Sequence, residues 1–228
     1  MARLPRLVIP GQAHYLILRA HDSLAAQGIC TDASDREDLL AALREAAGTE
    51  DGRVHAYAIL PGELQLLATP ATGLDLGRFV QALGRRYVSA YNRKRQRSGT
   101  LWDGRFRCAV VEPGPQRLSV MLLIDSQTPD AGMSSAGHRS GSAREALLQD
   151  LPEIWTLGNT PFEREAAYRE LLATGLSAEQ SRALRKATLG GWAIGSPAFL
   201  ASLAALSPSG PARPAAPRPR GRPRLKAE

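Results

Sequence analysis

Between Leu76 and Trp102 the chain carries Arg78, Arg85, Arg86, Arg93, Lys94, Arg95 and Arg97 and not one acid. With 29 Lys and Arg against 22 Asp and Glu overall, random mixing would have placed several acids there, so the segregation is informative. Cations grouped in this way suit phosphate contacts, each of which releases counterions and makes binding salt-dependent. Trp102, Arg105 and Phe106 follow, and an aromatic beside arginines can stack on an unpaired base. Near the end stands Pro219-Arg220-Gly221-Arg222-Pro223, the core of an AT-hook. Its glycine lets the backbone lie on the floor of a narrow A·T-rich minor groove, Arg220 and Arg222 run outward along it, and the prolines hold it extended. A third feature is of another kind. In "ELQLLATP", Glu63 and Gln65 stand at i, i+2, on one face of an otherwise apolar strand. A carboxylate and an amide on a buried face each need a partner.

The wider composition agrees with an acidic polymer as partner. The chain has 228 residues, a net charge of +7 and a pI near 10.0, and nucleic acid is the commonest ligand for such a balance. Cys30 and Cys108 are far apart and form no CxxC, so no zinc site is expected, and reduced, buried thiols point to a cytosolic protein. The N-terminal stretch is too interrupted by Arg, Pro and Gly for a secretory signal, and no apolar run approaches a membrane span.

The elements that must position these residues follow from periodicity. "HYLILRA" reads as a strand. "TDASDREDLLAALREAAG" reads as a helix capped by Ser34, with acids in its first turn, an apolar stripe of Leu39, Leu40, Leu43 and Ala47, and a stop at Gly48. "RVHAYAIL" and "ELQLLATP" form a hairpin over Pro61-Gly62. Leu76, Phe79, Val80, Leu83, Tyr87 and Tyr91 recur at helical spacing, with Arg78, Arg85, Asn92 and Arg93 on the opposite side. "RCAVVEP" is the last strand. The order strand, helix, strand, strand, helix, strand predicts an α+β, ferredoxin-like split βαβ fold: an antiparallel sheet with two helices on one face. Residues 133–152, rich in Ser and Gly, read as a linker. Residues 153–206 read as a small helical region with capping boxes at Thr160/Glu163 and Ser177/Gln180, for which a helix-turn-helix reader is one alternative and a packing appendage the other. Residues 207–228 read as a disordered basic tail.

Read in order, "RLVIPGQAHYLILRA", "HAYAILPGELQLLATP", "LGRFVQALGRRYVSAYNRKRQRSGTLWDGRFRCAVV", "TPDAGM" and the C-terminal "LGNTPFEREAAYRELL" resemble the HUH-type single-strand tyrosine transposases, in particular the REP-associated branch. The resemblance places the transposase-like domain at residues 1–132. It implies cleavage and joining of DNA at single-stranded hairpin elements, with two histidines on one strand holding Mg²⁺ or Mn²⁺ and a tyrosine on a later helix attacking the phosphate. Aligned with that pattern, the histidine positions fall on Glu63 and Gln65, and the tyrosine position falls near Ile124. A carboxylate and an amide could hold a hard cation only weakly, and no tyrosine occurs between Tyr91 and Tyr168.

The resulting expectation is a DNA-binding protein of this family, bacterial, cytoplasmic and nucleoid-associated, that binds hairpin or single-stranded DNA and no longer cleaves it. It needs no cofactor and no metal at Glu63 and Gln65. DNA would be held by Arg78, Arg85, Arg86, Arg93, Lys94, Arg95, Arg97, Trp102, Arg105, Arg220 and Arg222. The family further implies a homodimer. Two rivals stand beside this reading: an active transposase with a rebuilt site using Tyr87 or Tyr91 as nucleophile, and a remnant serving only as an interaction surface.

Overall fold

Every residue of the "ELQLLATP" strand is buried, so both of its faces are covered. A computed structural model, describing residues 6–24, 27–50, 52–72, 75–128 and 132–206, shows what covers them. The strands are β1 (His14–Arg19), β2 (Gly52–Leu60), β3 (Glu63–Pro70) and β4 (Arg107–Val110). They form one antiparallel sheet in the order β2-β3-β1-β4. With α1 (Ala33–Thr49) and α2 (Asp75–Lys94) in the two crossovers, this is the expected α+β, ferredoxin-like sheet.

Alternation along the strands sends one set of side chains to each face. Leu16, Leu18, Leu64 and Leu66 meet Leu39 and Leu43 of α1 and Phe79, Leu83, Tyr87 and Tyr91 of α2. Tyr15, Ile17 and Leu67 enter a second core, with Val120, Met121 and Ile124 of α3 (Pro115–Asp125). Helix α3 has no counterpart among the elements read from periodicity; only the resemblance implied a helix near Ile124. Its apolar residues run nearly continuously, because it is buried on most sides, and so show no amphipathic period. The first helix begins two residues earlier than expected: Asp32, not Ser34, is the cap, its side chain accepting from the Asp35 amide at 2.8 Å.

The expected linker is folded onto the sheet. Residues 133–152 run along the outer edge of β2, with the Ile59 amide donating to the Met133 carbonyl at 2.7 Å and the Gln149 amide to the Val54 carbonyl at 2.9 Å. They include the short helix α4 (Ala136–Ser140), and Leu147 and Leu148 complete the first core. The Ser-rich composition misleads because Ser134 and Ser135 are buried hydrogen-bonding partners rather than solvated loop residues. The segment also shields an edge that would otherwise present unpaired backbone groups.

Beyond it lie α5 (Pro152–Trp155), α6 (Pro161–Thr174), α7 (Ala178–Gly190) and α8 (Pro197–Leu206). Both expected capping boxes are present, and Gly191 ends α7 in the left-handed conformation at φ +70°. These helices close over the second face: Tyr168 of α6 and Leu184 of α7 enter the second core, and α7 packs on β1 and β4. That is the packing role, and it leaves α7 anchored on the sheet. Arg220, Arg222 and the rest of the tail lie outside the described residues. Among the described residues no helix is long and apolar enough to cross a membrane.

Candidate nucleic-acid interface

Two faces of the molecule carry the polar residues singled out above, and the sheet lies between them. On the first, α2 packs its tyrosines inward and turns its cations outward. Arg78, Arg85 and Arg93 are exposed and take part in none of the ion pairs among the described residues. Intervals of 7 and 8 residues keep them on one side of the helix, about 10 and 12 Å apart along its axis at 1.5 Å per residue. Arg86 pairs with Glu45 of α1, but both side chains are about half exposed, and such a pair exchanges readily for a phosphate. Beyond the helix, Gln96, at φ +49°, turns the chain into the loop that carries Arg97 and the exposed Arg105. Arg97 is half-buried and donates to Asn92 Oδ1 at 3.1 Å and to the Thr100 carbonyl at 3.4 Å. Arg107 at the start of β4 is also exposed, but it pairs with Ile17 in the ladder, and alternation sets it with Ile17 toward the opposite face of the sheet.

Lys94 and Arg95 behave differently. Lys94 Nζ donates to Asp32 Oδ1 at 2.8 Å and to Asp35 Oδ1 at 3.1 Å, and Arg95 grips both oxygens of Asp35, with Nη1 at 2.9 Å. Asp35 is almost fully buried. Burial raises its pKa, but the hydrogen bonds from Arg95, Thr31 and Lys94 outweigh it and hold the carboxyl down to about 2. Arg95 also lies over the Tyr91 ring at 4.0 Å. Two of the cations expected to face DNA are therefore committed to clamping the end of α2 to the start of α1. The acids in the first turn of α1, opposite the basic end of α2, were the available signal.

Trp102 is half-buried against α2, its ring 3.8 Å from where a Cβ on Gly84 would stand, and Nε1 is sealed without a partner. It props the loop rather than offering an open stacking face. Phe106 is covered by the Arg6 guanidinium at 3.7 Å.

The tyrosines of α2 are not placed as nucleophiles toward Glu63 and Gln65. Tyr87 donates to the Ile29 carbonyl at 2.5 Å and Tyr91 to the Gly28 carbonyl at 2.8 Å, both in the first core. Burial raises both hydroxyl pKa values. The Glu63–Gln65 pair faces the other side of the sheet, which removes the geometry of the rebuilt site.

On that second face, Glu63 accepts from Arg185 of α7, Oε1 from Nη1 at 2.5 Å and Oε2 from Nη2 at 3.1 Å. The hydrogen bond to Glu63 raises the Arg185 pKa further. Gln65 Oε1 accepts from the Tyr15 hydroxyl at 2.5 Å, and its Nε2 donates to Glu63 Oε1 at 2.5 Å and to Gln127 Oε1 at 3.4 Å. A metal needs converging lone pairs. Here both carboxylate oxygens and the amide oxygen are taken by donors, and the amide turns N–H groups toward the carboxylate. These residues do not fit Mg²⁺ or Mn²⁺, and among the described residues no three His, Cys, Asp or Glu side chains gather as a metal site.

One residue past Ile124, Asp125 is buried at the end of α3. It accepts from the Tyr168 hydroxyl at 2.6 Å, from Arg139 Nη1 at 2.9 Å and from Ser135 Oγ. Burial first, and the Asp125 charge second, push the Tyr168 hydroxyl well above its ordinary pKa.

Sheet order and helix placement define an α+β, ferredoxin-like protein with a cationic helix face and a sealed opposite face. No protein-family model matches the sequence, and no curated protein matches it. Among solved structures the chain is similar to a REP-associated tyrosine transposase bound to a REP hairpin, with a TM-score of 0.50 and 11% identity over 66% of this chain and 99% of that one. It is also similar to a transposase-like protein from Deinococcus radiodurans R1, with a TM-score of 0.36 and 20% identity over 50% of this chain and 88% of that one. At such identities the first likeness establishes a shared fold.

Proposed function

We propose that the chain is a DNA-binding protein of the HUH-type tyrosine transposase family, REP-associated branch, that recognises hairpin or single-stranded DNA and does not cleave it. The exposed stripe of Arg78, Arg85 and Arg93 on α2 carries this reading, because cations without carboxylate partners are those free to take phosphates. Arg86, Arg97 and Arg105 widen it, and Arg220 and Arg222 of the tail add minor-groove affinity. The shared fold with a transposase solved on a REP hairpin supports the choice of DNA form. Tyr87 and Tyr91, the nucleophiles of the rival reading, are buried on the face away from Glu63, which supports the absence of cleavage. The protein acts as a nucleoid-associated factor in a bacterial cytoplasm, with a homodimer as one assembly to look for.

The test is binding by purified protein to a labelled hairpin, a single strand and an A·T-rich duplex across a salt series. Tight, salt-sensitive binding to the hairpin or single strand is expected. Failure to shift any of the three at low salt sinks the proposal. Binding that does not respond to ionic strength favours a protein-interaction remnant. Incubation of the hairpin with Mn²⁺ should give no covalent adduct, and an adduct abolished by Tyr→Phe would restore the active enzyme.

A further inference from the structure

We infer that the cation of the Glu63–Gln65 site is the guanidinium of Arg185, and that this polar pair serves to latch α7 across the sheet in place of holding a divalent ion. Three observations converge. The guanidinium meets the carboxylate two-pronged, at 2.5 and 3.1 Å, a geometry only a planar fork supplies. The Gln65 amide completes the arrangement as a donor to Glu63, with its oxygen held by Tyr15, so a metal would have to displace two donors and turn the amide over. The charges already cancel. Among the described residues Glu63 is the only carboxylate in hydrogen-bond contact with Arg185, and a divalent ion added between them would bring two uncompensated charges beside the apolar Leu67 and Leu184.

A second fastening of the same kind lies on the neighbouring helix. Tyr168 of α6 donates to the buried Asp125 at the end of α3, with Arg139 supplying the charge. Helices α6 and α7 are thus each held by a buried polar contact, one on α3 and one on β3, beside further contacts such as Arg144 with Glu165 of α6 and Ser196 with Glu112. Buried polar pairs fix orientation more than they add stability, so the latch sets where α7 sits rather than whether the sheet folds. This inference does not depend on DNA binding.

Two measurements on the full chain test it. Mn²⁺ is titrated and free ion is followed by electron paramagnetic resonance, for the wild type and Glu63→Gln. Hydrogen exchange is then compared for wild type, Arg185→Met and Glu63→Gln. The expected results are no Glu63-dependent Mn²⁺ binding, and amides of α7 exchanging at least fivefold faster in both variants while those of β1 and β3 are unchanged. Mn²⁺ binding by the wild type that Glu63→Gln removes would overturn the inference. So would a change in α7 exchange below fivefold in both variants. Glu63→Gln keeps the side-chain shape and removes only the charge, so it decides the matter if Arg185→Met does not fold.

Discussion

The division of the α2 cations into free and committed residues can be tested quantitatively with two variants, one removing three positive charges and the other two. In the first, Arg78, Arg85 and Arg93 become Ala. All three are exposed and take part in no ion pair among the described residues, so folding stability should move by only a few tenths of a kcal/mol each. Each phosphate contact on a single strand contributes about 0.7 to the slope of log affinity against log salt, so losing three makes it shallower by about 2. Between 50 and 200 mM salt the wild type should then weaken by roughly 20-fold more than the variant. In the second variant, Lys94 and Arg95 become Met. This leaves Asp35 buried without its cations, and stranding one partner of a buried pair costs on the order of 3 kcal/mol. Its slope on the same strand should stay close to that of the wild type wherever the protein remains folded. Fluorescence anisotropy over a salt series, with urea unfolding of each variant, reads both quantities. The reasoning fails if the first variant keeps the wild-type slope. It fails equally if the second loses slope as much as the first without losing stability.

Other expectations follow from the buried polar groups. Burial lowers the pKa of His14 and of His55 from the ordinary 6.5 to about 4, so both stay neutral in the fold while the unfolded chain takes up protons first. Their contribution is intact above pH 6.5 and drains away as pH falls toward 4; a shift of this size amounts to about 3 kcal/mol per histidine. Urea titrations at pH 7 and pH 4.5 should show the loss, and His55→Gln should reduce its pH dependence. Asp35 acts lower down: its stabilisation should be intact above the ordinary carboxylate pKa of 3.8 and drain away as pH falls from there to about 2, and Asp35→Asn should remove that step. Replacing Arg139 by Met strands Asp125 in the core and should cost about 3–5 kcal/mol, measurable as a lower Tm. Removing residues 207–228 should weaken A·T-rich duplex binding while leaving hairpin affinity within a few-fold, checked by gel shift.

The sheet, its two crossover helices and the capped C-terminal helices were legible in the sequence, because each has a local signature: period 2, period 3.6, or a Ser/Thr cap three residues ahead of Glu or Gln. Helix α3 and the edge segment 133–152 were not. The first is apolar on most sides and shows no period. The second is Ser-rich because its hydroxyls bond inside the protein, which composition does not distinguish from a solvated loop.

For the site, the sequence by itself determined that cations are segregated from acids along α2 and that β3 carries a carboxylate and an amide on one face, since both are properties of local order and alternation. Which of those cations are free was decided by tertiary structure. Lys94 and Arg95 meet Asp32 and Asp35 across some 60 residues only when α1 and α2 lie side by side. The meaning of Glu63 and Gln65 was decided in the same way. Their partner, Arg185, is more than a hundred residues away and reaches them only because α7 crosses the face of the sheet, where a buried carboxylate must be matched by charge from whichever element covers it.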